Sequence, residues 1–174
     1  MTIEDIKNSI RNIPDFPRKG IQFKDITTAL QQPHILHEIL ERIATQYKDT
    51  HIDYVIGIET RGFIFGAALA YILHCGFIPV RKPGKLPSDV ISEEYALEYG
   101  VDRLEMHKDA LFPHANVLIV DDLLATGGTA KTAANLAIKL QANVIGFAFV
   151  IELKNLQGRS RLTSIADVYS VVTY

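Results

Sequence analysis

The sequence predicts one α/β domain over residues 1–174, with a mainly parallel, doubly wound sheet and helices on both faces. Short runs rich in Val and Ile alternate along the chain with stretches of helical periodicity, which is the pattern of strand–helix–strand units. The run over residues 117–120 has no polar position, as expected of a central strand that is buried on both faces. Two adjacent carboxylates follow this run, at the strand end where open α/β sheets bind their ligands.

The N-terminal part is predicted to be a small helical and loop segment. Ile3, Ile6, Ile10 and Ile13 recur at helical spacing, and Thr2 is a suitable N-cap. Prolines and a glycine over residues 14–20 end this helix and indicate a rigid loop. A second amphipathic helix is predicted by six apolar positions: Ile35, Leu36, Ile39, Leu40, Ile43 and Tyr47.

The rest of the chain alternates between strands and helices. The predicted order is a strand at 54–58, a helix at about 62–75, a strand at 77–80, a strand from 117, a helix at about 128–140, and strands at 144–151 and 168–172. Residues 88–108 interrupt this pattern. They predict an inserted, flexible β-hairpin that projects from the sheet, because Tyr95, Leu97 and Tyr99 alternate and Gly100 can form the turn.

Composition excludes several function classes. The net charge of −2 argues against a nucleic-acid partner, which normally requires a basic excess. No apolar run approaches the roughly 20 residues of a membrane span, so no membrane partner is expected. Cys75 is the only cysteine, and the first residues carry acids where a signal peptide would carry bases. These features predict a cytoplasmic protein.

The strongest motif follows the central strand. Asp121 and Asp122 are succeeded by a turn that leads into a helix and consists of Ala125, Thr126, Gly127, Gly128 and Thr129. Such a turn can direct several backbone N–H groups at one phosphate, while the carboxylates can accept hydrogen bonds from hydroxyls. The pattern differs from the P-loop and from the dinucleotide fingerprint. It therefore predicts a site for a sugar phosphate.

Residues 117–130 resemble the phosphoribosyl pyrophosphate (PRPP) motif of the type I phosphoribosyltransferases, and most closely that of the members that use adenine. The resemblance implies the type I fold with the hairpin as a hood, and the reaction of adenine with PRPP to give AMP and diphosphate. It also implies Mg²⁺ as cofactor and a homodimer. Asp121 and Asp122 would hold the ribose hydroxyls directly or through Mg²⁺ bound mainly by PRPP, and residues 125–129 would anchor the 5-phosphate.

Cationic residues are the candidates for diphosphate binding. Taken alone, Arg61 could equally form a surface ion pair, and the lysines could belong to a solvated loop. However, residues 57–63 match the family's pyrophosphate loop, and residues 81–87 match its Arg-Lys-x-Gly-Lys-Leu-Pro sequence. The resemblance implies these diphosphate ligands: Arg61, Arg81, Lys82, Lys85 and His107.

The same resemblance assigns the base site and the acid/base residue. Phe23 would stack on adenine while main-chain groups beside it read the base edge, with Gln22, Lys24 and Leu123 completing the site. Gln22 replaces a small apolar residue of the family pattern, and Lys24 replaces an arginine. Glu98, in the hairpin sequence Leu-Glu-Tyr-Gly, would take part in proton transfer at the purine.

Two alternatives remain at this point. Some PRPP-binding domains are regulators that sense PRPP and bind DNA, but they usually carry a separate DNA-binding domain and lack a hood. Within the enzymes, another purine base is the other alternative, because a pocket can admit analogues that form similar hydrogen bonds.

Overall fold

A computed structural model describes residues 1–96 and 100–174. The helices are α1 (Ile3–Ser9), α2 (Thr27–Leu30), α3 (Pro33–Tyr47), α4 (Arg61–Ile72) and α5 (Gly128–Lys139). The strands are β1 (Arg11–Pro14), β2 (Gln22–Asp25), β3 (Tyr54–Ile58), β4 (Gly76–Val80), β5 (Val90–Ala96), β6 (Val101–His107), β7 (Asn116–Leu124), β8 (Asn143–Glu152) and β9 (Val168–Thr173). Two 3₁₀ turns, Lys154–Leu156 and Gly158–Arg161, lie between β8 and β9.

The centre of the fold is a five-stranded sheet in the order β4-β3-β7-β8-β9. All four strand pairs are parallel, as predicted. The chain runs outward from β3 to β4 and then returns to place β7 on the other side of β3. The strand order therefore reverses between β3 and β7, and this switch point opens a crevice at their carboxyl ends.

Helices cover both faces of the sheet, as the sequence predicts. On one face, α1, α3 and α4 bury a core that includes Val55, Leu118 and Val120. On the other face, α5 packs on a core that includes Val117 and Ile119. The alternation of β7 side chains between two apolar layers explains why residues 117–120 have no polar position. Among the described residues, no helix is long and apolar enough to cross a membrane.

The N-terminal helix is shorter than its isoleucine spacing predicts. Thr2 and Asp5 form a capping box at its start, but α1 ends at Ser9, and Ile13 lies on β1. β1 pairs with β2 in an antiparallel hairpin, and the Arg11 N–H donates to the Thr28 hydroxyl at 3.1 Å. These long-range backbone contacts replace the bonds that a longer helix would form, and spacing alone does not reveal them.

The inserted hairpin consists of β5 and β6, which pair with each other as a separate two-stranded antiparallel sheet. Gly100 precedes β6 with a φ of 101°, which suits a glycine in the turn. The half of β6 nearer the sheet does not project freely, because Leu104 and Met106 are fully buried in the second core. Arg81 also bridges to Glu105 through the backbone, which joins β6 to the end of β4.

Candidate active site

The crevice at the switch point brings the turn after β3 against the end of β7. Arg61 is the first residue of α4, and its Nε lies 2.5 Å from Oδ2 of Asp122 on β7. The next residue, Gly62, lies so close to β7 that a Cβ there would stand 2.9 Å from Oδ1 of Asp121. Any larger residue at Gly62 would push the turn away from the carboxylates. The peptide bond between Glu59 and Thr60, just before this turn, is cis.

Both carboxylates lie within β7, which extends to Leu124, further than the hydrophobic run alone predicts. Burial, followed by the neighbouring Asp122 charge, raises the pKa of Asp121 well above its ordinary value. Burial also raises the pKa of Asp122, although the Arg61 guanidinium opposes that rise. Two adjacent, poorly hydrated carboxyl groups are suited to positive or hydroxyl-bearing ligands that would compensate their charge.

The predicted phosphate loop connects β7 to α5. Gly127 has a φ of 80° in the left-handed region, and α5 begins at Gly128, so the loop lies at a helix N-terminus. A cavity of about 70 Å³ is lined by the loop and its neighbours: Asp121, Leu123, Leu124, Ala125, Thr126, Gly127, Thr129 and Ala130. The structure thus brings the five predicted loop residues together beside the carboxylates.

Besides Arg61, two more of the predicted diphosphate cations already have acidic partners. Arg81 donates to both carboxylate oxygens of Glu59, from Nε at 3.1 Å and from Nη2 at 3.2 Å. Lys82 forms an ion pair with Asp102 on β6, and its Nζ donates to the Tyr95 hydroxyl at 3.1 Å. Desolvation acts to lower the pKa of Lys82, but the hydrogen bonds with Asp102 and Tyr95 outweigh it and raise the pKa, so the amine stays charged at neutral pH.

The remaining predicted cations differ in their surroundings. Lys85 is exposed, and its carbonyl accepts a hydrogen bond from Nη1 of Arg81 at 3.3 Å. His107 ends β6 and is half-buried. Its Nε2 atom is buried and makes no hydrogen bond within residues 1–96 and 100–174. A buried ring nitrogen without a partner is costly, and a bound ligand could supply the missing partner.

The predicted base segment is β2, and it meets the crevice through Phe23. Its half-buried ring packs edge-to-face on Phe16 at 5.2 Å, and the Arg61 guanidinium lies 5.6 Å from its centroid. The Gln22 side chain accepts a 2.6 Å hydrogen bond from Asn12, and Lys24 Nζ lies 3.9 Å from the Tyr174 ring centroid. Both side chains that depart from the family pattern therefore have partners inside the protein.

The crevice as a whole has a volume of about 380 Å³. Its lining combines the β3–α4 turn, the hairpin and the carboxylates: Glu59, Thr60, Arg61, Lys82, Tyr95, Leu104, Asp121, Asp122 and Thr129. Leu123 lies outside this lining, at the smaller cavity of the phosphate loop. Glu98, the predicted acid/base residue, lies outside the described residues.

The donor set at the crevice suits a hard divalent cation only in part. Asp121 and Asp122 provide carboxylate oxygens, which such cations prefer. In the described parts of the chain, however, no group of three or more His, Cys, Asp or Glu side chains could hold a metal ion. The pair therefore fits a cation whose other ligands come from the substrate, as Mg²⁺ commonly binds with phosphates.

Sequence reasoning missed several residues that shape this site. Glu59 and Asp102 neutralise Arg81 and Lys82, and Gly158 lies against the phosphate loop. Glu59 follows β3, and Arg81 follows β4. Because these two strands are parallel neighbours, the residues after them meet at one edge of the sheet, so this ion pair could have been inferred from the sequence. The contact of Gly158 with a loop thirty residues earlier leaves no local signal.

Comparison with known proteins gives the family. The model of the phosphoribosyl transferase domain matches residues 27–173. An adenine phosphoribosyltransferase of Thermosynechococcus vestitus is 55% identical over 170 residues, covering 98% of this chain and 99% of that protein. Another, of Synechocystis sp., is 54% identical over 172 residues, covering 98% of this chain and 99% of its own. The chain belongs to the adenine phosphoribosyltransferase family.

Solved structures of adenine phosphoribosyltransferases have the same fold. The enzyme of Thermoanaerobacter pseudethanolicus superposes with a TM-score of 0.96 at 48% identity, over 99% of this chain and 100% of that one. The enzyme of Saccharomyces cerevisiae, solved with an imino-altritol bisphosphate and adenine, gives 0.92 at 38% identity, covering 98% of each chain. The type I phosphoribosyltransferase fold predicted from the sequence is therefore confirmed.

Proposed function

We propose that the crevice at the switch point is the active site for the reaction of this family. The chain is a purine-salvage glycosyltransferase that converts adenine and PRPP into AMP and diphosphate. One observation carries the assignment of the site: Arg61 contacts Asp122 and lies over the ring of Phe23. It thus links the residues proposed for the ribose with the segment proposed for the base.

The phosphate loop and the carboxylates would fix the sugar. Backbone N–H groups and hydroxyls of residues 125–129 bind the 5-phosphate at the start of α5, which positions the anomeric carbon. Asp121 and Asp122 accept hydrogen bonds from the ribose hydroxyls. Their negative charge also favours the positive charge that grows on the ribose ring as the bond to diphosphate weakens.

The diphosphate would bind between the β3–α4 turn, the loop after β4 and the end of β6. The groups best able to receive it are Arg61, which is still partly open to the crevice beside Asp122, Lys85, and His107, whose Nε2 has no hydrogen-bond partner among the described residues. Arg81 is held by Glu59, so its main effect is to fix the loop that carries the lysines. Lys82 must exchange Asp102 for the ligand before it contributes its charge fully.

Adenine would stack on Phe23, with main-chain groups of Gln22 and Lys24 at its edge and Leu123 on its other face. The side chains of Gln22 and Lys24 contact Asn12 and Tyr174, which supports recognition of the base by main-chain groups. Glu98 on the hood hairpin would accept the purine proton as the ring nitrogen attacks. Closure of the hairpin would exclude water and suppress hydrolysis of PRPP.

Mg²⁺ is the proposed cofactor, held by Asp121 and Asp122 together with substrate oxygens. When bound, it would neutralise the negative charge that develops on the departing diphosphate. This assignment follows from the carboxylate pair and from the family's use of a diphosphate substrate.

The activity is tested by supplying PRPP and Mg²⁺ with adenine, hypoxanthine or guanine separately, and by following nucleotide formation. AMP from adenine alone supports the proposal. IMP or GMP would show that the base segment is assigned wrongly, and PRPP binding without any product would indicate a PRPP-sensing regulator. Glu98→Gln should keep the fold and lose most turnover, so near-normal turnover would contradict its role.

We also propose a homodimer in the cytoplasm. The exposed side of α4 carries Ile64 and Tyr71, which are 45% and 83% exposed, so an apolar strip lies beside Arg61. A second copy of the chain would cover it, and light scattering should then give twice the 19.4 kDa chain mass. The location is supported by Cys75, which is a free thiol.

A further inference from the structure

The second 3₁₀ turn, Gly158–Arg161, lies directly against the phosphate loop. A Cβ on Gly127 would lie 2.5 Å from the carbonyl oxygen of Gly158, and one on Gly158 would lie 2.2 Å from that of Ala125. The two backbones therefore touch with no room for a side chain on either glycine. The turn forms a second wall of the loop.

The turn is fixed to the sheet by Arg159. Its Nε donates to Glu152 at the end of β8 at 2.9 Å, and its Nη1 donates to the carbonyl of Val168 on β9 at 2.5 Å. Glu152 is buried, which limits exchange of this ion pair with solvent. The backbone of residues 158–161 therefore has a defined position relative to the phosphate loop.

This position places the Arg161 guanidinium beside the start of α5. Its Nη1 lies 3.9 Å from the point where a Cβ on Gly128 would stand, and Thr126 Oγ1 lies 3.9 Å from the same point. Arg161 forms no hydrogen bond or ion pair with any residue that the structure describes, whereas Arg159, two residues earlier, donates to Glu152 and Val168. A guanidinium without a partner among residues 1–96 and 100–174, and a hydroxyl, thus flank the first residue of α5.

Without Arg161, the residues that line the phosphate-loop cavity offer no positive charge to a bound phosphate. The five loop residues carry no charged side chain, and Asp121 borders the same small cavity with a carboxylate. A 5-phosphate carries one to two negative charges at neutral pH, so a neutral loop alone would hold it beside an acid. Guanidinium groups bind phosphate through two parallel N–H donors, which gives both charge and orientation.

We propose that Arg161 is a ligand of the substrate's 5-phosphate and supplies the cation that the loop lacks. This inference rests on the proposed function, which assigns residues 125–129 to that phosphate. It distinguishes Arg161 from Arg61, Lys82 and Lys85, the cations that the proposed function assigns to the diphosphate. Removing Arg161 therefore weakens binding of every ligand with a 5-phosphate and leaves binding of diphosphate unchanged.

The test compares three ligands by titration calorimetry: ribose 5-phosphate, AMP, and diphosphate with Mg²⁺. The variants are Arg161→Gln and Arg161→Lys, with Lys48→Gln as a control that removes one exposed cation after α3, which lines neither the crevice nor the phosphate-loop cavity. For Arg161→Gln we expect about tenfold weaker binding of ribose 5-phosphate and AMP, and diphosphate affinity within about twofold of the parent. Arg161→Lys should recover part of the loss, and Lys48→Gln should match the parent.

Two results would overturn the inference while leaving the proposed function intact. Arg161→Gln could bind ribose 5-phosphate as the parent does, or it could lose affinity for diphosphate to the same extent, which would indicate a general charge effect. Failure of the proposed function is distinguishable, because the parent protein would then bind neither ribose 5-phosphate nor AMP. Thermal unfolding of each variant checks the fold, which an exposed side chain should leave unchanged.

Discussion

Arg61 and Asp122 form an ion pair across the switch point, with Nε of the arginine 2.5 Å from Oδ2 of the aspartate. The aspartate is almost fully buried, whereas the arginine is partly open to the crevice. The charged, partly solvated Arg61 is therefore accessible to a ligand, while Asp122 is buried. It fixes the start of α4 against the end of β7, which are separated by sixty residues of chain.

Replacing Asp122 with asparagine tests the proposed role of the carboxylate. The amide has the same shape, so we expect the fold to persist. It has no negative charge to stabilise the developing ribose cation, so kcat/KM for AMP formation should fall about 10²- to 10³-fold. Asp109→Asn, which changes an exposed acid outside the crevice, should have no effect. Near-normal turnover in Asp122→Asn would remove the residue from the mechanism.

The ion pair of Lys82 with Asp102 is expected to hold the hairpin near the crevice. In Asp102→Asn this anchor weakens by about 1 kcal/mol, so amide hydrogen exchange in β5 and β6 should accelerate about fivefold, with β3 and β7 unchanged. Glu94→Gln, an exposed change on the same hairpin, is the matched control. Unaltered exchange in the hairpin of Asp102→Asn would mean that other contacts, such as buried Leu104, hold it in place.

Arg159 is expected to matter for stability as well as for substrate binding. In Arg159→Met the buried Glu152 carboxylate loses its partner, which should lower the free energy of unfolding by about 1–3 kcal/mol. Urea denaturation measures this loss. The double variant with Glu152→Gln should recover part of it, because no charge then remains unpaired. A simple sum of the two single losses would contradict coupling between the residues.

Asp25 predicts a pH dependence of stability. Hydrogen bonds from Thr27, and then from Arg11, lower its pKa from 3.8 to about 2. A pKa that is lower in the folded state means that the stabilisation is present above about pH 4 and is lost as the pH falls toward 2. We expect Asp25→Asn to cost about 1 kcal/mol at pH 7 and to flatten the decline between pH 4 and 2. Parallel stability curves for the two proteins would contradict this.

The sequence predicts well those parts of the site that lie within one local motif. The run before Asp121 predicts a buried strand, and the glycines after it predict a loop at a helix start, because both signals come from neighbouring residues. The mainly parallel, doubly wound sheet also follows from the predicted strand–helix alternation, whereas its strand order comes from the structure. Binding roles for these residues remain predictions that only experiments on ligands can test.

Contacts between distant segments could not be predicted in the same way. Nothing near Gly158 indicates that its carbonyl meets Gly127, and nothing near Lys82 indicates that Asp102 lies opposite it. The short α1 is a similar case, since the isoleucine spacing continues to Ile13 while β1 pairs with β2. In each case a tertiary contact, rather than local propensity, determines the outcome.

The close approach of Gly127 and Gly158 has a consequence for the order in which the protein matures. The ribosome releases the chain from its amino end, so the loop emerges about thirty residues before the turn that forms its second wall. Until that turn has emerged and Arg159 has reached Glu152, the loop lacks its backing. The substrate-binding geometry is thus completed only after residues 158–161 have been synthesised, when four of the five strands of the central sheet have already emerged.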